Sequence, residues 1–207
     1  VGPAGSVRAV DADSGAVDAA RMAASRAGVD NVTVEVGDAT DTGIPPASAD
    51  VVMIRHVLAH NGGREQAIVD HAATLVRPGG SVYLVDVDQS AIRTRPVDTD
   101  LADLTERYVE WHRRQGNDIA PGLRLGELLA GASLEAIAHY GRYQISAVPP
   151  HFRTPAWAGR DALLAAGMAT AEDVARWDAA FDRVDGQQAR PIVFVPLFFA
   201  FGRRPAS

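Results

Sequence analysis

Apolar residues in the first ninety positions form short runs of strand length, separated by longer stretches with helical spacing. The runs are rich in Val, Ile and Leu, as in strands that are buried on both faces. They predict strands within Val7–Asp13 and at Val32–Val36, Asp50–Ile54 and Ser81–Asp86. Helices are predicted between them at Ala16–Ala27 and Arg64–Leu75, with Ser14 as a possible N-cap of the first helix and Pro78-Gly79-Gly80 as a stop signal after the second. This alternation indicates right-handed crossovers and a mainly parallel sheet.

The second half of the chain has a different pattern. Helices are predicted at Leu101–Gln115, Arg124–Ala130, Pro155–Ala166 and Ala171–Val184. Strands are predicted at Ala138–Ser146 and Ile192–Gly202, and these two can pair antiparallel at the edge of the sheet, with the last two helices inserted between them. The predicted fold class is therefore α/β: a Rossmann-like, doubly wound, mainly parallel sheet with a C-terminal antiparallel strand pair and a helical insertion.

Composition narrows the possible functions. The 207 residues fit one domain, and 47% hydrophobic with 22% charged residues is typical of a globular protein. The chain contains no cysteine, and this absence rules out disulfides and thiolate metal sites. It also contains no lysine, which excludes a P-loop and a Schiff base. The arginine-rich, lysine-free composition suggests a GC-rich bacterial source. A formal net charge of −6 argues against nucleic acid as a partner, and no apolar run is long enough to span a membrane. We therefore expect a small-molecule partner and a cytoplasmic location.

Asp11 is the first candidate functional residue, because it lies at the carboxyl end of the first predicted strand. In open α/β sheets that edge borders the ligand crevice, where a carboxylate can accept hydrogen bonds from both hydroxyls of a ribose. The alternative is that Asp11 or Asp13 only caps the following helix. On this stretch alone the two interpretations are equally supported.

Four further motifs carry a family resemblance. They are Gly37-Asp38-Ala39, Asp50-Val51-Val52 running into Arg55–His60, Leu75–Gly80 and the closing segment Pro196–Gly202. Together with Val10-Asp11, in this order and spacing, the chain resembles the class I S-adenosylmethionine-dependent methyltransferases of the small-molecule type. The resemblance implies a single domain over residues 1–207, with a cofactor-binding half at 1–95 and substrate-side helices and final strands at 96–207.

The resemblance also implies roles for individual residues. Asp11 would hold the ribose hydroxyls and Ala12 would line the adenine face. Asp38 would accept from the adenine amino group, the backbone of Ala39 would contact the ring, and Arg55 would lie beside the amino-acid end of S-adenosylmethionine. Asp38 is equally explained as a turn residue after Gly37.

One departure from the family concerns its glycine-rich loop, which follows the central strand and should lie upstream of Val7. Gly2-Pro3-Ala4-Gly5 does not replace that loop, since no strand precedes it. We therefore expect a hole in the middle of the sheet, and we expect upstream residues that supply the missing strand and loop.

Candidate bases and acceptor contacts follow the third strand and occupy the second half. His56 and His60 are the nearest candidates for a general base, and His112 and His151 are weaker ones. The i, i+4 spacing of His56 and His60 lacks the glutamate of a zinc-hydrolase motif, so no metal is expected. An aromatic wall over a flat acceptor could be formed by Tyr108, Trp111, Phe152 and Trp157, although aromatic residues at such spacing are more often core.

The leading interpretation is methyl transfer to a small, aromatic or polyketide-like metabolite at oxygen or carbon. One alternative keeps the fold and cofactor for non-methylating natural-product chemistry. A second is a nicotinamide-dependent oxidoreductase, since Asp11 also suits the ribose of NAD, and a third is a domain that binds a nucleoside or a partner without turnover. The apolar final strand and the helical insertion offer surfaces for a homodimer.

Overall fold

The computed structural model describes residues 1–206. Its strands are β1 (Val7–Asp11), β2 (Val32–Val36), β3 (Ala49–Arg55), β4 (Val76–Val87), β5 (Arg93–Arg95), β6 (Glu135–Ala147) and β7 (Ile192–Arg203). Its helices are α1 (Ser14–Arg26), α2 (Glu65–Leu75), α3 (Thr99–Arg114), α4 (Leu125–Gly131), α5 (Pro155–Ala158), α6 (Arg160–Ala165) and α7 (Ala171–Asp185). Short 3-10 turns lie at Leu58–His60, Gln89–Ala91 and Pro121–Arg124. Every predicted strand has a counterpart, and β5 is an addition.

The strands form two separate sheets. β1 and β2 pair in parallel as a two-stranded sheet. The larger sheet has the order β3-β4-β7-β5, in which β3 and β4 are parallel and β7 is antiparallel to β4 and β5. β6 pairs antiparallel with the whole length of β7, which confirms the predicted C-terminal strand pair. The α/β, Rossmann-like class is confirmed by this arrangement.

The parallel part of the sheet is interrupted between β1 and β3. Within residues 1–206, β1 pairs with β2 alone and β3 pairs with β4 alone, so each retains one unpaired edge. Side-chain contacts after β2 connect the two sheets: Arg64 binds Asp38, and the amide of Thr42 donates to Nε2 of His71 at 3.1 Å. The parallel part of the sheet is therefore not continuous within the described residues.

One face of the larger sheet is packed under helices α2 and α4. Val82, Leu84 and Ala200 are fully buried there, together with Ile68 and Leu129 of the two helices. We call this side the covered face. Alternate residues along the same strands point to the other side, which we call the open face.

The open face is apolar but is left in contact with solvent. The strand register places Met53, Tyr83 and Phe201 side by side across β3, β4 and β7. Met53 is 60% exposed and Phe201 is 40% exposed. Phe199 continues the row, with its ring 5.5 Å from that of Tyr140 on β6. These side chains have the composition of a core but not its burial.

The remaining helices form a second core of their own. Leu104 and Tyr108 of α3, Leu163 of α6 and Trp177 of α7 are buried together. On the surface of this cluster Arg176 bridges Asp100 and Asp103 of α3, at 2.6 and 2.8 Å. The helices inserted before β7 therefore pack mainly on α3.

Some predicted boundaries require correction. The N-cap of α1 is Asp13 rather than Ser14, because the Asp13 carboxylate accepts from the amides of Gly15 and Ala16. The helix predicted from Pro155 to Ala166 is split at Gly159, where a Cβ would lie only 2.8 Å from the ring of Tyr108. The predicted stop signal Pro78-Gly79-Gly80 lies inside β4, because Val76 already pairs with Ala49.

Candidate active site

Polar residues collect at the carboxyl ends of the parallel strands. Asp11 ends β1, Asp38 follows β2, Arg55 ends β3, and Asp86 lies one residue before the end of β4. Parallel strands present these ends at the same edge of a sheet, and ligands of open α/β folds bind there. The interrupted part of the sheet separates Asp11 and Asp38 from Arg55 and Asp86.

The sequence left open whether Asp11 or Asp13 caps α1, and in the structure the cap is Asp13. Asp13 caps α1, with its Oδ1 accepting from the Gly15 amide at 2.7 Å. Asp11 is exposed, and its Oδ1 accepts from the Asp13 amide at 2.9 Å. Among the hydrogen bonds of residues 1–206, Oδ2 of Asp11 has none, so the cap leaves an oriented carboxylate free for a ligand.

Asp38 is already engaged by neighbouring residues. Both of its carboxylate oxygens accept from Arg64, at 2.6 and 2.7 Å, and Oδ1 also accepts from the hydroxyl and the amide of Thr40. The Arg64 guanidinium and then Thr40 hold the pKa of Asp38 well below its usual range. Asp38 is therefore an ionised turn residue, and an adenine amino group would share it with Arg64. Ala39 packs against the core under the covered face.

Ala12 and Arg55 are exposed at the same edge. Ala12 lies between Asp11 and the helix cap. Arg55 lies opposite Val85 in the pairing of β3 with β4. In the described part of the chain its guanidinium makes no hydrogen bond. Both are placed where a ligand along this edge would contact them.

His56 lies directly after β3 and faces a buried carboxylate. Its backbone has the left-handed φ of 54°, and its amide donates to the carbonyl of Val85 at 3.0 Å. Its Nδ1 is 3.7 Å from Oδ1 of Asp86. Asp86 is 1% exposed, whereas the His56 side chain is 38% exposed. The pair thus joins a buried acid to an imidazole that solvent can reach.

His60 and His112 extend this cluster, with His60 exposed and His112 buried. Their ring centroids are 4.9 Å apart. Burial lowers the pKa of His60, although Asp86 opposes the shift. Burial, and then the proximity of His60, lowers the pKa of His112 to about 4. Both rings are therefore neutral near pH 7.

The tautomer of His112 follows from its hydrogen bond. Its Nδ1 is 2.8 Å from the side-chain nitrogen of Asn117, which can only donate, so Nδ1 accepts and the ring proton is on Nε2. This Nε2 is buried without a partner. A cavity of about 10 Å³ lies beside it, lined by residues that include His60, Gln89 and Tyr108. Such a space is about the size of one water molecule.

Three of the four aromatic residues of the predicted acceptor wall belong to the helical cluster, and the fourth does not. Tyr108 is buried in the helical cluster, and Trp111 and Trp157 pack on that cluster. Tyr108 contacts the His112 ring edge-on at 4.4 Å, which places it beside the small cavity. Phe152 lies apart and is 46% exposed. His151 also lies away from the strand ends, with Nδ1 at 3.6 Å from Asp185.

Asp86 was missed by the sequence analysis, as were Arg64 and Asn117. A signal for Asp86 was available, because the predicted fourth strand ends on it, as the first strand ends on Asp11. Arg64 and Asn117 gave no local signal, since their partners Asp38 and Gly62 are distant in sequence.

The amino-terminal part of the chain matches a known family. Residues 1–80 fit the sequence pattern described as "Methyltransferase domain". This part of the chain is therefore similar to methyltransferase domains. No curated protein sequence matches it significantly.

Solved structures show that the methyltransferase fold extends beyond residue 80. A methyltransferase from Bacillus halodurans is 18% identical, with a TM-score of 0.58 over 97% of this chain and 83% of the other. A phosphoethanolamine N-methyltransferase from Haemonchus contortus, solved with phosphomonomethylethanolamine and S-adenosylhomocysteine, is 15% identical, with a TM-score of 0.55 over 97% of this chain and 44% of the other. The [4+2]-cyclase SpnF is 18% identical, with a TM-score of 0.56 over 99% of this chain and 67% of the other.

Methyltransferases of similar fold have been solved with S-adenosylhomocysteine or S-adenosylmethionine bound, and the residues present fit the nucleoside part of this cofactor. The exposed Asp11 carboxylate, oriented by the Asp13 amide, provides the acceptor that two ribose hydroxyls require. Within residues 1–206 no group of three or more histidines and acidic residues could hold a metal ion, and no helix is both long and apolar enough to cross a membrane.

Proposed function

We propose that this methyltransferase transfers the methyl group of S-adenosylmethionine to a small, aromatic or polyketide-like metabolite, at oxygen or carbon. The observation that carries the proposal is that the free carboxylate of Asp11 and the solvent-accessible ring of His56 lie at the carboxyl ends of β1 and β3. One can bind the cofactor and the other can accept a proton. The bound cofactor supplies an electrophilic methyl group, so the protein has to provide alignment and a site that excludes water.

We assign the cofactor contacts along the strand ends. Asp11 binds the ribose hydroxyls, Ala12 and the backbone of Ala39 contact the adenine, and Asp38 contacts its amino group together with Arg64. Arg55 is placed at the carboxylate of the methionine moiety, because its guanidinium is exposed and makes no hydrogen bond among the described residues. The methionine end also borders the interruption between β1 and β3.

We assign His56 as the general base and His60 as a weaker candidate. A base is needed when the acceptor loses a proton, as a phenol does, and it contributes roughly 10²–10⁴ in rate. His56 faces the buried Asp86 carboxylate, whereas His60 is exposed and contacts the buried ring of His112. The acceptor would lie against the helical cluster, where Tyr108 and Trp111 are nearest to the histidines, with Trp157 and Phe152 further away. A homodimer and a cytoplasmic location remain predictions.

The test of this assignment is the affinity of the Asp11→Ala variant for S-adenosylmethionine, measured by isothermal titration calorimetry. Each lost hydrogen bond to a charged group is worth roughly 1.5–3 kcal/mol, so we expect affinity to fall about 10- to 150-fold. Asp13→Asn is the matched control, because asparagine caps a helix as well as aspartate does and the substitution removes a charge two residues away. Equal affinities of Asp11→Ala and the wild type would contradict the assigned cofactor site.

A second candidate function is non-methylating chemistry with the same fold. It is supported by the similarity to SpnF, a [4+2]-cyclase whose fold covers 99% of this chain. Product analysis separates the two functions. Methyl transfer releases one S-adenosylhomocysteine for each methylated acceptor, whereas a cyclase leaves the cofactor unchanged.

A further inference from the structure

The Asp86 carboxylate is the least satisfied acidic group of the site. Its Oδ1 accepts from the neighbouring Val87 amide at 2.9 Å, while its Oδ2 is buried without a hydrogen-bond partner. Buried side-chain polar atoms without a partner are uncommon, and each calls for an explanation. Within residues 1–206 the only other such atom is Nε2 of His112. Both belong to the cluster around His60.

The backbone of His56 directs its ring toward this carboxylate. A histidine at φ 54° is in the left-handed region, which is unfavourable for a residue with a side chain. The amide of His56 is fixed by its hydrogen bond to Val85, the strand neighbour of Asp86. Such conformations persist where the surrounding structure imposes them, and they are frequent at functional sites. The result is that Nδ1 of His56 faces Oδ1 of Asp86 at 3.7 Å.

We propose that Asp86 is a positioning residue that holds His56 in the tautomer protonated at Nδ1, so that Nε2 is free to accept a proton from the methyl acceptor. This inference rests on the proposed function and narrows it to acceptors with an ionisable hydroxyl. The distance of 3.7 Å is longer than a hydrogen bond, and catalytic contacts of this kind often shorten when a substrate binds.

The proton balance is simple. As the hydroxyl oxygen bonds to the methyl carbon, the carbon–sulfur bond breaks with its electron pair on sulfur, and the hydroxyl proton moves to Nε2 of His56. The imidazolium formed has the Asp86 carboxyl group beside it. The other groups near the ring are His60, His112 and the exposed Arg55, and burial lowers the pKa of both histidines. Asp86 is thus the acidic group that faces the new charge.

Nitrogen NMR of the chain labelled with 15N-histidine tests the proposal without any cofactor or acceptor. The chain has six histidines, and the His56 signals are assigned from their absence in His56→Gln. At alkaline pH we expect the wild-type ring of His56 to be protonated at Nδ1, the opposite of the tautomer that an imidazole prefers in water. His112 is the internal reference, because its hydrogen bond from Asn117 fixes the proton on Nε2. A His56 ring protonated at Nε2 in the wild type would overturn the proposal.

Substitution of the carboxylate gives the second arm of the test. Asp86→Leu should shift His56 toward the tautomer protonated at Nε2, and unchanged signals in a folded variant would overturn the proposal. If this variant does not fold, Asp86→Asn replaces it, and a smaller shift in the same direction is expected. Asp88→Asn is the control, because Asp88 lies after β4 and bonds only to Ser90, and it should leave the signals unchanged. The tautomer is measured without cofactor or acceptor, so a failure here is distinct from a failure of the proposed function.

Discussion

The two faces of the larger sheet are built from the same strands and have similar hydrophobicity, but only one of them is closed. On the covered face Leu84 lies beside Ala200 of β7, and both are fully buried under α2 and α4. One residue earlier, Tyr83 lies beside Met53 and Phe201, which are 60% and 40% exposed. The difference shows that burial depends on what packs above a strand, since alternate residues of a strand must point to opposite sides.

The regions that no other element covers lie beside the proposed cofactor site. The interruption of the sheet lies between β1 and β3, and β3 is also the strand whose Val51 and Met53 are exposed. The covered face and the helical cluster are closed, and they carry Asp86 and His112. The molecule therefore keeps Asp86 and His112 in packed regions, while the proposed cofactor contacts Asp11, Ala12 and Arg55 are exposed at the surface.

The largest stability effect is expected on the covered face. Leu84→Ala removes a fully buried side chain from under α2, and such truncations cost roughly 2–5 kcal/mol through lost apolar burial and a residual cavity. Urea unfolding of the variant and the wild type measures the difference. A loss below about 1 kcal/mol would mean that the covered face is not closed in solution.

The next prediction concerns His112 beside the helical cluster and the pH dependence of the free energy of unfolding. Because burial and then His60 lower the pKa of His112 to about 4, this ring stays neutral in the folded chain while it is protonated in the unfolded chain below pH 6.5. Its contribution should make stability fall by up to about 1.4 kcal/mol per unit as the pH drops from 6.5 toward 4. Urea unfolding of wild type and His112→Gln across this range measures it. The same slope in both proteins would contradict a buried neutral His112.

The smallest effect is expected on the open face. Met53→Ala removes a side chain that is 60% exposed, and substitutions of this kind stay within roughly 0.5 kcal/mol. The measurement is the urea unfolding used for Leu84→Ala, so the two variants form a matched pair on opposite sides of the sheet. A cost at Met53 equal to that at Leu84 would remove the distinction between the faces and show that the open face is covered in solution.

Much of the site could be predicted from single strands and their neighbours. A strand that ends on a carboxylate marks the ligand edge of a parallel sheet, and this rule found Asp11 and, applied to the fourth strand, would have found Asp86. It could not tell the ligand residue from the cap, because Asp11 and Asp13 are equivalent in a linear pattern. That choice depends on where the amides of Gly15 and Ala16 point once α1 has formed.

The sequence by itself determined the α/β class, the strand and helix periods and the acidic strand ends, because these depend on interactions between residues close along the chain. Tertiary structure decided which residues meet across long separations. Arg64 occupies Asp38, Asp86 lies under His56, and Tyr108 packs at Gly159 and splits the inserted helix. It also decided that one apolar face is closed and the other open. Hydrophobicity states only that a residue would gain by burial, whereas the packing of other elements determines whether that burial occurs.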